Sequence, residues 1–173
     1  MILDVGCGAV HRGDINVDKY RHSYQFGRNR EELLKGVDTD PDVLAIGEQL
    51  PFRNNIFDLV LSHHVIEHSH DPDLFLRELV RVSKDEIEIH CPSRWSNQAK
   101  LPGYHVSYIK RSWLINSFVR LGCKILISKI TLIPQRLFLC FYMLRQHELI
   151  VNATKDHSRV ISDRHQEPSS LLY

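Results

Sequence analysis

The first residues able to do chemistry stand at the start of the chain, where Met1-Ile2-Leu3-Asp4-Val5 runs into Gly6-Cys7-Gly8. An apolar run stopped by two glycines is a strand ending in a tight turn. There a ligand can lie against bare backbone whose N–H groups suit a carboxylate or phosphate. A G-x-G alone is a weak signal, and a nicotinamide dinucleotide reading needs a further glycine at position 11, which is His11. The second group is His64-Val65-Ile66-Glu67-His68. Its H-x-x-E-H spacing matches zinc hydrolases, in which two histidines on one helical face bind metal and the glutamate activates water. The context opposes that reading: the motif follows a buried strand, and Asp71-Pro72 starts a new helix barely one turn later. Histidine near its neutral pKa is also the common general base, and His64 and His105 are the candidates for that role. Glu67 and His68 are expected to pack within the turn.

Strands alternating with helical segments must position these groups. Residues 1–5, 15–18, 43–46 and 57–62 read as strands, and the gap from Gly8 to Ile15 leaves little room for a crossover helix. Asp71 is an N-cap followed by proline at the first helical position, and Phe75, Leu76, Leu79 and Val82 fall at helical spacing. Residues 86–91 alternate as a fifth strand. A second helix runs from Arg111 to Leu121, with Gly122 where a left-handed cap belongs. Residues 125–132 and 148–153 form the last two strands, with 135–145 between them. Residues 19–40 are polar, with a short helix expected around 31–35. The pattern implies one α/β domain over residues 1–155 with a mostly parallel sheet covered on both faces, and a polar C-terminal tail over 156–173. Ligands of such sheets bind at the carboxyl ends of strands where the winding reverses, which puts the glycine loop opposite the segment from Ser62 to Glu67.

Several blocks in order and spacing carry a resemblance: Ile2 to Gly8, then Gly47-Glu48-Gln49-Leu50-Pro51-Phe52, Phe57-Asp58-Leu59-Val60-Leu61-Ser62 and His64 to His68. Arg77 to Val82, His90 to Trp95 and Glu148 to Val151 extend it over nearly the whole chain. Together these blocks resemble the small-molecule class I S-adenosylmethionine-dependent methyltransferases. The resemblance implies a three-layer Rossmann-like fold with a final antiparallel strand, S-adenosylmethionine as cofactor, and methyl transfer to a small acceptor. It also implies that Asp4, Gly6, Cys7 and Gly8 hold the methionine end of the cofactor and that Ile46, Gly47, Glu48 and Leu50 line its adenine pocket. His63 is placed at the cofactor as well. Asp18 would accept hydrogen bonds from the ribose hydroxyls, with Asp38 its rival because Gly36 to Pro41 also looks like a family second strand.

Four departures stand out. Val10 replaces the family's third glycine, so that Gly13 is expected to serve in a shortened loop. Ile46 stands where many relatives carry an acid for the adenine amino group, and Lys110 where a capping Ser or Thr is usual. The chain also opens on the first strand, without the N-terminal cap that normally covers the cofactor. The expectations are an exposed cofactor, cover by a homo-oligomer or other partner, or a truncated fragment. These departures keep a catalytically weak or inactive binding module as the alternative function, with zinc hydrolysis through His64, Glu67 and His68 a remote one.

Composition narrows the partners. A net charge of +1 over 173 residues hides an asymmetry, since no acidic residue occurs from Ile89 to His147. Arg94, Lys100, Lys110 and Arg111 interleave there with Trp95, Tyr104, Tyr108 and Trp113, which fits an anionic small-molecule acceptor in preference to nucleic acid, although most of these aromatics are expected in the core. The four cysteines form no C-x-x-C pair, so neither a disulfide framework nor a metal centre is expected, and a reducing, cytoplasmic setting fits. No apolar run approaches the ~20 residues of a membrane-spanning helix.

Overall fold

A computed structural model describes residues 1–23, 37–38, 40–93, 96, 106–132 and 147–156. The strands are β1 (Ile2–Val5), β2 (Ile15–Asp18), β3 (His22–Ser23), β4 (Val37–Asp38), β5 (Val43–Leu44), β6 (Phe57–His63), β7 (Ser83–Pro92), β8 (Cys123–Leu132) and β9 (His147–Lys155). The helices are α1 (Pro72–Val82) and α2 (Arg111–Arg120), and Ile66–His68 makes a single 3₁₀ turn. The expected helix around 31–35, the segment 135–145 and the tail beyond Asp156 lie outside the described residues.

Seven strands form one sheet in the order β5-β2-β1-β6-β7-β9-β8, and β3 and β4 form a separate antiparallel pair. From β5 to β7 all neighbours are parallel, whereas β9 runs antiparallel to both β7 and β8. The architecture is therefore the mostly parallel α/β sheet with a closing antiparallel strand read from the sequence. Several strands differ in extent, β8 beginning at Cys123 and β9 reaching from His147 to Lys155, and two differences have a local cause. β5 stops at Leu44 instead of Ile46, because Gln49 donates to the Ile46 carbonyl at 3.0 Å and turns the chain. β7 begins at Ser83, directly after α1, where the exposed Lys84 and Glu86 gave no apolar alternation to mark it.

The local chemistry explains these elements. Asp71 Oδ1 accepts the Leu74 N–H at 2.9 Å, which satisfies a donor at the start of α1. Lys110 offers α2 no side-chain cap, and Gly122 follows that helix with φ +77. The helices touch each other and bury Phe75, Leu76, Leu79, Leu114 and Phe118 against one face of the sheet, built from Ile87, Ile89, Cys91, Leu149, Val151 and Ala153. The alternate residues of β7 and β9 are Glu86, Glu88, His90, Glu148, Ile150, Asn152 and Thr154, so the opposite face there is mostly polar. Among the described residues no helix lies against it, consistent with residues 6–14 joining β1 to β2 without one. Gly13 lets this short connection hug the sheet, since a Cβ there would stand 2.7 Å from the Asp4 nitrogen and from the Ile15 oxygen.

Residues 48–54 are fastened to α1 by one ion pair. Arg81 Nη1 donates to the Phe52 carbonyl at 2.7 Å, Arg81 Nη2 donates to the Leu50 carbonyl at 2.9 Å, and Glu78 accepts both Arg81 Nε at 2.6 Å and the Leu50 N–H at 2.9 Å. Replacing Arg81 by Ala strands several of these partly buried acceptors and should cost about 1–3 kcal/mol in urea denaturation. The hydrogen bond from Arg81 holds the Glu78 carboxyl below its ordinary pKa. A depressed folded pKa means that Glu78 stabilises fully above the ordinary carboxylate pKa and loses that contribution as pH falls through the folded value. The stability gap between wild type and Arg81→Ala should therefore narrow in acid.

Candidate functional site

The winding reverses between β1 and β6, whose carboxyl ends meet: a Cβ on Gly6 would stand 2.2 Å from Cγ2 of Val65. Gly6 turns the chain with φ +77, and the space beside Gly8 is open, with nothing within 4 Å of where its Cβ would lie. Asp4 is fully buried at this edge. Its Oδ2 accepts the Arg12 N–H at 3.1 Å, while its Oδ1 has no partner. Burial raises the Asp4 pKa, opposed by the Arg12 N–H and guanidinium. Burial also pushes the Cys7 thiol up to about 12, which keeps it protonated and removes it as a nucleophile.

The glycine loop differs from its sequence reading in one respect. Gly6 and Cys7 both donate to the Val17 carbonyl, at 2.8 and 3.1 Å, and Gly8 donates to Asp18 Oδ2 at 3.0 Å. These N–H groups face β2 instead of an outer anion, because the helix-free connection brings β2 back so soon. Asp18 thus sits at the loop, with its Oδ1 taking the Tyr20 N–H at 3.0 Å. Asp38 ends β4 in the separate hairpin. The Asp18 carbonyl accepts the Ala45 N–H at 3.1 Å, so the segment with Ile46, Gly47 and Glu48 begins beside Asp18. Ile46 is exposed, Leu50 is buried, and Glu48 Oε1 accepts the Ser69 hydroxyl at 2.6 Å.

On the β6 side His64 adopts φ +58, an uncommon backbone state for a side-chain-bearing residue that recurs at functional sites. Its Nε2 lies 3.0 Å from Glu148 Oε1 and its Nδ1 3.6 Å from Glu67 Oε1. Glu67 is buried and its Oε2 unpartnered. The Glu67 carboxylate, assisted by Glu148, raises the His64 pKa above its ordinary value against the opposing effect of burial. Only Ile66–His68 of the H-x-x-E-H segment forms a 3₁₀ turn, and among the described residues the donors of His64, Glu67 and His68 do not converge as a metal-binding trio. This agrees with the context argument against zinc hydrolysis: the two-histidine geometry needs a continuous helix from His64 to His68, whereas His64 has φ +58 and the turn begins only at Ile66. His63 points elsewhere, stacking on His90 with ring centroids 4.0 Å apart and meeting Glu88 Oε1 at 3.1 Å. Sequence reading missed Glu88, His90 and Glu148 as site groups; only the alternation of β7 hinted that Glu88 and His90 share a face.

His105, Arg94, Trp95, Lys100 and Tyr104 lie outside the described residues. Of the other basic and aromatic positions, Tyr108 and Lys110 are exposed, Trp113 packs against the core, and Arg111 is engaged with Ser128. None of the described helices is long and apolar enough to cross a membrane.

Comparison with known proteins supplies the context. Residues 3–87 match a family model described as a methyltransferase domain. Ajmaline N-methyltransferase of Rauvolfia serpentina is 34% identical over 92 residues, which are 47% of this chain and 32% of that protein. The chain spans about a third of the length of the curated relatives it matches. Among solved structures, an S-adenosylmethionine-dependent methyltransferase of Thermotoga maritima, described as a possible histamine N-methyltransferase, superposes with a TM-score of 0.63 at 19% identity, covering 90% of this chain and 82% of that one. Magnesium protoporphyrin IX methyltransferase of Synechocystis, with bound S-adenosylmethionine, gives 0.55 at 14% identity, covering 90% and 69%.

Proposed function

We propose that this chain, whose residues 3–87 match a methyltransferase-domain family model, is a class I S-adenosylmethionine-dependent methyltransferase that binds its cofactor at the carboxyl ends of β1, β2 and β5 and methylates a small acceptor beside His64. The carrying observation is the edge where the unpartnered Asp4 Oδ1, the open space at Gly8 and the Asp18 carboxylate come together. That donor-seeking edge fits a ligand with an ammonium group and a ribose diol. When bound, the cofactor supplies an electrophilic methyl group on a sulfonium. Methyl transfer of this kind gains most from orientation, which this chain provides. Asp4 and the open backbone surface at Gly8 border the methionine end, the Gly6, Cys7 and Gly8 N–H groups being engaged with Val17 and Asp18, and Asp18 takes the ribose hydroxyls. Ile46, Gly47, Glu48 and Leu50 border the adenine, with His63 contributing through its main chain at the end of β6.

His64 is the candidate base. Nε2–H donates a hydrogen bond to Glu148, which fixes that tautomer and leaves Nδ1 to accept a proton from the acceptor, with Glu67 beside it to favour the imidazolium. His105 is the second candidate. A raised pKa makes His64 a stronger base whose unprotonated form fills only as pH rises, so the acid limb of the rate profile should lie above the ordinary histidine value. Glu67→Gln should move that limb down, and His64→Asn should lower kcat about 100-fold or more. An anionic acceptor suits the acid-free stretch from Ile89 to His147, through exposed groups such as Lys110.

Calorimetric titration with S-adenosylmethionine and S-adenosylhomocysteine tests the reading, with one-to-one binding expected. Folded protein that binds neither at millimolar concentration would overturn it. The engagement of the Gly6, Cys7 and Gly8 N–H groups with β2 favours one alternative, a cofactor-binding module without turnover. Binding with no methyl transfer to any acceptor would select it.

A further inference from the structure

The polar face of the sheet carries a cluster of three side chains that the methyl-transfer reading does not use, His63 serving there only through its main chain. His63 ends β6 directly opposite His90 on β7, and Glu88 lies two residues before His90 on the same face. Glu88 Oε1 stands 3.1 Å from His63 Nε2 and 3.0 Å from His90 Nε2, and one ligand atom from each of the three residues lies within 4.8 Å of the others. All three side chains are only partly exposed, at 16%, 26% and 17%.

We propose that His63, Glu88 and His90 bind one divalent transition-metal ion of the zinc class. Donors bonded to tetrahedral zinc at about 2.0–2.1 Å stand roughly 3.3 Å apart, close to the contacts with Glu88 seen here. The supporting groups are also in place. His90 turns its Nδ1 to Glu148 Oε1 at 3.1 Å, the carboxylate–histidine arrangement that orients a ligating imidazole, and Glu88 Oε2 accepts the Asn152 amide at 2.9 Å. Both ring nitrogens of His90 face carboxylates, Nε2 toward Glu88 at 3.0 Å and Nδ1 toward Glu148 at 3.1 Å, and a dication would balance the charges of Glu88 and Glu148. Two imidazoles with one carboxylate select a transition metal over magnesium or calcium, whose sites are built from oxygen. Strands in fixed register hold the set without a flexible loop.

The test takes the full chain, stripped with a chelator, and titrates it with zinc against a chromogenic competitor and with cobalt followed by its visible absorption. One ion per chain is expected, with the intense visible bands of low-coordinate cobalt. Glu88→Gln and His90→Ala should each weaken zinc at least 100-fold, and Glu148→Gln about 10–100-fold through His90. His68→Ala should bind as wild type does. Thermal unfolding without metal checks that each variant folds, and zinc should raise the wild-type midpoint but not that of Glu88→Gln. If a variant fails to fold, the histidine resonances of the wild-type chain carry the test, since zinc must shift those of His63 and His90. Folded wild-type chain that takes up neither ion at millimolar concentration overturns the proposal. So does uptake unchanged by Glu88→Gln and His90→Ala, or a zinc shift confined to other histidines.

Discussion

Gly6→Ala is expected to destabilise the chain by about 2–5 kcal/mol and to abolish cofactor binding in what still folds. Two independent penalties meet at this position. With φ at +77 the backbone is left-handed, which costs a residue bearing a Cβ about 1–2 kcal/mol. The added carbon would also lie 2.2 Å from Val65 Cγ2 and 2.9 Å from Cγ1, an overpacking worth about 1–3 kcal/mol. Val65 packs against the core at the start of the His64–His68 turn, so the strain spreads to both halves of the site. Urea denaturation should show a lower midpoint at unchanged slope. The double variant Gly6→Ala with Val65→Ala separates the two penalties, since it frees the space and leaves the left-handed backbone strained. It should recover part of the stability lost relative to Val65→Ala alone. Additive effects would mean that the loop and the turn do not press on each other.

The elements legible in the sequence were those whose signal is local. Asp71-Pro72 and the helical spacing of Phe75, Leu76 and Leu79 marked α1, and the apolar run ahead of Gly6 marked β1, because capping and burial patterns act within a few residues. The strand boundaries at Leu44 and Ser83 were not legible, since a turn closed by Gln49 and an exposed polar strand start leave no apolar period. The site shows the same division. Asp4, Gly6 and Asp18 announce themselves by place along the chain. His63, Glu88 and His90 become a group only through the β6–β7 register, and Glu148 reaches His64 and His90 only because β9 inserts between β7 and β8. Sequence adjacency therefore drew attention to His64, Glu67 and His68, whereas the convergent donors come from two strands. The inward turn of the glycine-loop N–H groups was equally hidden, since it follows from how soon β2 returns.

Asp18→Asn should weaken S-adenosylmethionine and S-adenosylhomocysteine about 100-fold in calorimetric titration while the chain remains folded. The estimate follows from hydrogen bonds to a charged acceptor being worth about 1.5–3 kcal/mol, with 1.4 kcal/mol per tenfold in affinity. Asparagine offers one acceptor oxygen where aspartate offers two, and both aspartate oxygens already serve the backbone, Oδ2 toward Gly8 and Oδ1 toward Tyr20. The substituted amide therefore puts an N–H against one of those N–H groups and cannot also receive both ribose hydroxyls. Loop bracing and ribose recognition are separable with a cofactor analogue lacking the ribose hydroxyls. If Asp18 receives the diol, the analogue loses affinity for wild type but little more for Asp18→Asn; if Asp18 only braces the loop, the two losses add. Asp38→Asn, on the separate β3–β4 hairpin, should leave cofactor affinity at the wild-type level. A loss confined to Asp38→Asn would transfer the ribose contact to that hairpin and overturn the assignment to β2.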